Sequence, residues 1–264
     1  MRKSTLILIA IIIFETYVIF EAAYTVREMR KEIEDLRSRV SSLNSELSCV
    51  EAEKQQLENE LSKFDSLIEE VNVRTGVYPE KWCSFVTPDD PSVASLVNSI
   101  TGGWSNFGDP NELAIELKKM YDWVENNIKY RSDTYYPLLS RDFTIKWITE
   151  VWQYPSETIQ IKEGDCEDMA LLLASMIRNY LKKHYAAYVV LTTGHAAVII
   201  PVKEGKIIIL DPAAHYYSNT YGILDAKEIT TEIDKWLNLF SPKPIVIAAF
   251  NEQTYKKFSN TQEF

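Results

Sequence analysis

The sequence predicts an α+β protein whose globular part follows a long N-terminal helix. Residues 6–73 keep a helical apolar period, residues 110–180 contain further helical segments, and residues 187–250 consist largely of β-rich runs. A helical half followed by an antiparallel sheet is the α+β plan. With 264 residues, the chain is long enough for one good core plus accessory segments.

Charge and cysteine content exclude several classes of protein. The chain carries 38 acidic and 28 basic side chains, and this net charge of -10 argues against a nucleic-acid binder, whose affinity comes mostly from phosphate neutralisation. Cys49, Cys83 and Cys166 cannot form a disulfide framework, and no CxxC pair suggests zinc. We therefore predict no metal, cofactor or nucleic-acid partner.

Residues 1–24 have the length and composition of a transmembrane anchor. Leu6 to Phe20 is apolar except for Glu15 and Thr16, and about 20 helical residues cross the ~30 Å hydrocarbon layer. A cleaved signal peptide is the rival interpretation, but large side chains occupy positions of its cleavage site that should be small. The sequence therefore favours an uncleaved single-pass anchor in the cell membrane.

The charges that flank this span point in both directions. Arg2 and Lys3 favour an inside N-terminus, whereas Arg27, Arg30 and Lys31 lie just beyond the span. Long domains translocate largely regardless of such charges, so we expect an extracytoplasmic C-terminal domain.

Residues 25–73 are typical of a coiled coil. Their apolar residues alternate in steps of three and four for about seven heptads, interrupted only by Lys54 at an a position. In a parallel homodimer the proximal half pairs favourably, but the distal half repels itself. We expect a homo-oligomer or hetero-oligomer, its distal half either loosely paired or bound to a partner with basic flanks. The favourable pair is Glu32 with Arg37, and the repulsive pairs are Glu46 with Glu51, Glu53 with Glu58, and Glu60 with Asp65.

Residues 74–109, rich in Pro, Gly, Ser and Asp, are predicted to be a connector with a short helix, Pro91 to Ile100, capped by Asp90. The catalytic domain is predicted at residues 110–250, and residues 251–264 are predicted to be a polar tail. Within the domain, Asp225 is expected to cap a helix from about Ala226 to Phe240.

A second helix is predicted to begin at Cys166, inside the run Gly164-Asp165-Cys166-Glu167-Asp168. Asp165 fits an N-cap and Asp168 fits position N3. Unpaired N–H groups and the positive end of the helix dipole then favour a thiolate at Cys166. The alternative is that Cys166 has no chemical role and is a small side chain that fills a gap at the start of the helix.

The strands beyond that helix bring a histidine and an aspartate together. Residues 195–202 and 206–210 form a hairpin turned at residues 203–205, in which paired residue numbers sum to about 408. His195 and Asp211 then become diagonal neighbours within side-chain reach. A cysteine that faces such an imidazole forms the activated nucleophile of acyl-transfer chemistry. His184 and His215 are the competing histidines.

These segments together resemble the transglutaminase-like superfamily of papain-fold thiol enzymes, in its peptidase-like prokaryotic branch. The resemblance rests on Gly164 to Asp168, Gly194-His195-Ala196, Leu210-Asp211-Pro212, and the upstream run from Trp152 to Thr158. It implies a papain-like domain in which Cys166 is the nucleophile, His195 the general base and then acid, and Asp211 the orienting carboxylate. The oxyanion would be held by the Cys166 backbone N–H and one side chain, with Trp152, Gln153 and Tyr130 as candidates.

One departure from the family narrows the expected reaction. His195 is followed by Ala196 instead of the Trp of the eukaryotic crosslinking enzymes. The resemblance therefore implies a membrane-tethered thiol enzyme that cleaves, or transfers, amide or isopeptide bonds of a protein or peptide through a thioester. The alternative is a non-catalytic peptide-binding scaffold that assembles through its coiled coil. Metal binding by Cys166, His195 and Asp211 fits the sequence less well than nucleophilic chemistry.

Overall fold

The computed structural model describes residues 3–105, 108–140, 142 and 144–258. The basic charge predicted at Arg2 and the last six residues of the predicted tail, 259–264, lie outside the described residues. The chain divides into two compact units, Met1–Ser66 and Leu67–Phe264.

Helix α1, Lys3–Val73, is 71 residues long. Its apolar start, with an 18-residue window of mean hydropathy 2.3, is long and apolar enough to cross a membrane, a test that a signal sequence also passes. The apolar side chains that the heptad pattern assigns to the seam are exposed from Val26 to Phe64, for example Leu43 at 62% and Leu57 at 65%, whereas Ile68 is buried. Their pairing in a coiled coil stays a prediction.

The second unit is a mixed helix-and-sheet domain. After α1 comes a 3-10 helix, Pro79–Phe85. The further elements, in chain order, are α2 (Pro91–Thr101), α3 (Pro110–Asn127), β1 (Lys129–Tyr130), β2 (Tyr136–Leu139), β3 (Ile145–Ile148), α4 (Pro155–Ile161), β4 (Glu163–Gly164), α5 (Cys166–Tyr180), β5 (Tyr188–Thr192), β6 (His195–Val202), β7 (Lys206–Asp211), β8 (Tyr216–Tyr217), β9 (Lys227–Glu228), α6 (Ile229–Leu237), β10 (Val246–Phe250) and β11 (Tyr255–Lys257).

The central sheet has the antiparallel order β11-β10-β5-β6-β7-β8, and β9 pairs with β7. Because successive strand residues point to opposite faces, the sheet buries side chains on both sides. Val198 and Leu210 belong to the core cluster that includes α5, whereas Ile199 and Ile209 belong to the cluster that includes α6. Helix α5, an almost continuous buried apolar run, thus lies on one face and α6 on the other.

The β6–β7 hairpin has the predicted register. Val198 pairs with Leu210 and Ile199 pairs with Ile209, and a short 3-10 turn at Lys203–Gly205 joins the strands. Both strands are buried almost continuously, so the position of the turn sets this register, and the sequence was sufficient because it marks that turn.

The segment predicted to be a connector contributes to the core. Asp90 caps α2 as expected, since its carboxylate accepts a hydrogen bond from the Ser92 N–H at 2.8 Å. Phe85 and Val93 are completely buried in the main cluster. The segment from Arg74 to Thr101 therefore packs into the domain that it precedes.

Two boundaries near the C-terminus differ from the predictions. Helix α6 begins at Ile229 instead of Ala226, because Lys227 and Glu228 form β9 on the edge of β7, and Asp225 bonds to Lys227 instead of capping. In the predicted tail, β11 pairs with β10 and Phe258 is buried. The polar composition of this C-terminal segment gave no indication of the short edge strand.

Candidate active site

A short parallel pairing positions the start of α5. Strand β1 pairs with β4, which places Tyr130 opposite Gly164, and the Arg131 N–H donates to the Gly164 carbonyl at 3.0 Å. Gly164 leaves room for Asp168, since a Cβ at position 164 would lie 2.7 Å from the Asp168 Cβ. Strand β4, which ends at Gly164, therefore packs tightly against the first turn of α5.

Asp168 also fixes the approach to the cysteine from the other side. Its carboxyl oxygens accept the Gln153 backbone N–H at 2.7 Å and the Gln153 Nε2 at 2.9 Å. Burial raises the pKa of Asp168 to about 8. Asp165 is the N-cap residue of α5, as predicted, but among the described residues its side chain makes no capping hydrogen bond and bonds to the Glu167 carboxyl instead.

His195 and Asp211 are in direct contact. The His195 Nε2 lies 2.7 Å from the Asp211 Oδ2, and the Asp211 side chain is completely buried. Asp211 also accepts the Ala214 backbone N–H at 3.0 Å and the Trp236 Nε1 at 2.8 Å. Since Asp211 engages Nε2, the Nδ1 of His195 is the nitrogen left to act on a thiol.

Cys166 begins α5 beside the first residues of β6. The Ala196 backbone hydrogen-bonds to its sulfur, and the thiol donates to the Glu167 Oε2 at 3.3 Å. Burial, followed by the charges of Glu167 and Asp165, raises the pKa of Cys166. The predicted preference for a thiolate is therefore reversed in this arrangement, because desolvation and nearby carboxyls outweigh the helix dipole.

Carboxyl groups surround the thiol. Burial, then the Asp165 hydrogen bond and the charge of Glu150, raise the pKa of Glu167. Burial likewise raises the pKa of Asp133 to about 6. Donor atoms of Asp165, Cys166 and Glu167 lie within 4.8 Å of one another, a set of two carboxylates and one thiol that could hold a metal ion. A cation there would neutralise the carboxylates but occupy the sulfur.

The three side chains predicted for the oxyanion site or cleft have different surroundings. Trp152 is buried, its Nε1 donates to the Glu150 Oε1 at 2.9 Å, and its ring stacks on Phe250. The Gln153 Nε2 is committed to Asp168. Tyr130 is half-exposed, and burial followed by the charge of Cys166 raises its pKa. Tyr130 is thus the most exposed of the three, and its hydroxyl also hydrogen-bonds to Ser132.

The competing histidines lie elsewhere. His215 is exposed, and its Nδ1 lies 2.8 Å from the Glu125 Oε1. His184 follows α5, and its backbone N–H donates to the Leu181 carbonyl. Among the described residues, His195 is therefore the histidine that meets a buried carboxylate.

Sequence reasoning missed Trp236 and Phe240, which flank His195. Ring centroids of His195 and Phe240 lie 4.5 Å apart, and those of His195 and Trp236 lie 6.1 Å apart. The apolar period of α6 could have placed Trp236 on a buried face. No local signal in the sequence indicates which side chain it meets.

Comparisons with known proteins find a family model and several solved structures that are similar to this chain. Residues 108–218 match the sequence model of a transglutaminase-like domain. Among curated proteins there is no significant match. Solved structures similar to this chain include LapG of Legionella pneumophila. The EGTA-treated form is 14% identical with a TM-score of 0.37, and the match covers 63% of this chain and 86% of the LapG chain. The calcium-bound form is 16% identical with a TM-score of 0.33, and the match covers 62% of this chain and 87% of the LapG chain. Residues 108–218 of this chain are a transglutaminase-like domain.

Proposed function

We propose that the chain is a cysteine-protease-type enzyme, a peptidase or amidase, whose nucleophile is Cys166. The observation that carries this proposal is the contact of 2.7 Å between the His195 Nε2 and the buried Asp211 Oδ2. It lies beside a cysteine at a helix N-terminus, whose sulfur interacts with the residue after the histidine. The match to a transglutaminase-like domain supports the same chemistry.

In the proposed reaction, the Nδ1 of His195 removes the proton from the Cys166 thiol. Asp211 accepts the Nε2–H, which sets the ring tautomer and stabilises the imidazolium. The thiolate attacks the substrate carbonyl, and the Cys166 backbone N–H and the Tyr130 hydroxyl stabilise the resulting oxyanion. The tetrahedral intermediate collapses as the imidazolium protonates the departing amine, which leaves a thioester on Cys166.

The second half of the reaction returns the enzyme to its starting state. His195 removes a proton from water, and the hydroxide attacks the thioester carbonyl. Collapse then breaks the C–S bond, releases the carboxylic acid and returns the proton to the thiol. A primary amine in place of water gives transamidation, since the first half of both reactions is identical.

A non-catalytic peptide-binding scaffold is the second candidate, and one observation favours it. The thiol donates to Glu167 and its pKa is raised, so the sulfur must turn from Glu167 towards His195 before it can react. If the acidic neighbours prevented this movement, the cleft would bind peptides without cleaving them.

We further propose that residues 1–24 anchor the domain outside the cell membrane as a single-pass protein. The apolar window at the start of α1 supports this anchor. The exposed heptad side chains of residues 25–73 support assembly into a homo-oligomer or hetero-oligomer. The substrate would then be a protein or peptide at the membrane surface.

The test uses the full-length chain in detergent and iodoacetamide as the thiol probe. We expect Cys166 to be alkylated at least tenfold faster than the exposed Cys49, and His195→Ala to remove this advantage. Cleavage of a peptide library by the wild type but not by Cys166→Ala would establish hydrolysis. A Cys166 that reacts no faster than Cys49, or is indifferent to His195→Ala, would overturn the proposed mechanism.

A further inference from the structure

The Asp211 carboxylate has a second side-chain partner beyond the histidine. The Trp236 Nε1 donates to Oδ2 at 2.8 Å, the same oxygen that lies 2.7 Å from the His195 Nε2. The remaining oxygen, Oδ1, accepts the Ala214 N–H. Three donors from three different parts of the fold therefore hold this carboxylate in one orientation.

Burial makes this arrangement sensitive to the loss of one donor. The Trp236 and Asp211 side chains are completely buried. In such a site a carboxylate oxygen cannot replace a lost donor with bulk water. Without the indole N–H, Asp211 would rotate towards its two remaining partners, and the histidine ring that depends on it would follow.

Helix α6 also covers the imidazole. Phe240 follows this helix and stands edge-on to Trp236, at an interplanar angle of 89°. Both rings lie against His195. One helix thus supplies a hydrogen-bond donor to Asp211 and an apolar wall to His195.

We propose that Trp236 is a positioning residue that acts on the reaction of Cys166 through Asp211. Trp236 lies beyond residues 108–218, so a segment outside the matched domain completes the site. The proposal rests on the proposed function for its kinetic consequence, but the hydrogen bond itself can be tested separately.

The kinetic test is a double-mutant cycle in the full-length chain, with the rate of alkylation of Cys166 by iodoacetamide as the readout. Trp236→Phe keeps an aromatic ring but removes the indole N–H. We expect it to slow alkylation about tenfold, because the loss of a hydrogen-bond partner that orients a functional side chain typically costs ~10–100-fold where it has been measured, at metal-binding histidines. In an Asp211→Ala background the same substitution should change the rate by less than about twofold, because the acceptor is gone. Equal effects in both backgrounds, or no effect in the wild type, would overturn the proposal.

Trp82→Phe is the matched control. Trp82 is also buried, and its Nε1 donates to the Gly76 carbonyl at 2.8 Å. Its loss should leave the alkylation rate within about twofold of the wild type, because it removes a buried indole hydrogen bond away from Asp211. A loss of rate equal to that of Trp236→Phe would indicate a general structural effect and contradict the proposal.

A spectroscopic measurement tests the contact even if Trp236→Phe does not fold. The chain contains 6 tryptophans, so a sample labelled with 15N-tryptophan gives few indole signals. Trp→Phe variants at the other positions assign their own signals and leave that of Trp236 by elimination. Asp211→Ala should move the Trp236 indole signal more than any other, whereas no preferential movement would overturn the contact. If His195→Ala leaves the alkylation rate unchanged, the proposed function fails while this signal still reports on the hydrogen bond.

Discussion

Opposing effects act on the Cys166 thiol, and their balance decides whether the site is reactive. The helix dipole, worth up to ~2 kcal/mol when partly buried, favours the thiolate. Burial and the charges of Glu167 and Asp165 favour the thiol. In the proposed mechanism, an ion pair with His195 must stabilise the thiolate against these effects, so the reactivity of the site depends on the buried Asp211 that holds His195.

Gly164 gives a prediction for a single residue. Gly164→Ala would place a Cβ 2.7 Å from the Asp168 Cβ and 2.9 Å from its Oδ2. Overpacking of this kind costs about 1–3 kcal/mol, a fall in Tm of several degrees. It would also displace the start of α5, so we expect alkylation of Cys166 to slow by more than about tenfold.

Gly205→Ala is the comparison for this prediction. Its φ is +70°, and no atom lies within 4 Å of an added Cβ, so it introduces backbone strain without a clash. It should lower the Tm but leave the alkylation rate unchanged. Equal rates for Gly164→Ala and the wild type would contradict the assigned role of Gly164.

Asp133 gives a pH-dependent prediction. Burial first, then the charges of Asp165 and Glu150, raise its pKa to about 6, against ~3.9 in the unfolded chain. The folded state then holds the proton more tightly, so this contribution to stability is complete below about pH 4 and is lost as the pH rises through 6. Allowing for screening, we expect the loss to be on the order of 1–2 kcal/mol.

The measurement is denaturant unfolding from pH 4 to 7 of the wild type and Asp133→Asn. The wild type should lose free energy of unfolding over this range relative to the variant. Asp142→Asn is the opposite control: hydrogen bonds from Thr144 lower the pKa of Asp142, so its contribution appears as the pH rises. Parallel curves for the wild type and Asp133→Asn would contradict the raised pKa.

Among the elements, α5 connects the candidate site to the C-terminal segment. Near its end, Arg178 is buried and donates its Nε to both oxygens of Glu252 at 3.0 and 3.1 Å. It also donates to the Lys183 and Tyr185 carbonyls. The end of the helix is thereby fixed to the loop that follows it and to the segment between β10 and β11.

Breaking this pair should destabilise the second unit strongly. Arg178→Met leaves the Glu252 carboxylate without its partner, and removal of one member of a buried pair costs about 3–5 kcal/mol. Lys243→Met, in the exposed pair with Asp234, should cost less than about 1 kcal/mol. Denaturant unfolding measures the free energy of unfolding of both variants. Similar losses in the two would show that the buried pair stabilises the fold no more than the exposed pair.

At the scale of elements, the sequence predicts features that depend on local periodicity. It does not predict features that depend on contacts between residues far apart in the chain. The hairpin register and the contact of His195 with Asp211 follow from a period of two and one turn. The start of α6 differed from the predicted one because Lys227 and Glu228 pair with β7 as a short strand. Trp236 meets Asp211 from an element 25 residues further along, on a face that no spacing rule identifies.

For the whole molecule, the unusual feature is α1, a 71-residue helix whose apolar heptad side chains are exposed from Val26 to Phe64. An apolar stripe held for about seven heptads is not stable in water unless it is covered. Leu36, Leu43 and Leu57 at d positions favour a parallel dimer. A common membrane would also align two copies in parallel.

The charge pattern predicts that such a dimer is tight in the N-terminal half of the coiled coil and loose in its C-terminal half. Single cysteines at Leu36 and Leu57, in a chain whose native cysteines are replaced, should therefore form disulfides at different rates, faster at Leu36. Raising the salt concentration should accelerate disulfide formation at Leu57, because screening weakens the repulsion between Glu53 and Glu58 of facing helices. Ser45→Cys, at an outward f position, is the control and should stay monomeric. If Leu36→Cys forms disulfides no faster than Ser45→Cys, the helices do not pair with one another, and a partner with basic flanks becomes the better account of the exposed stripe.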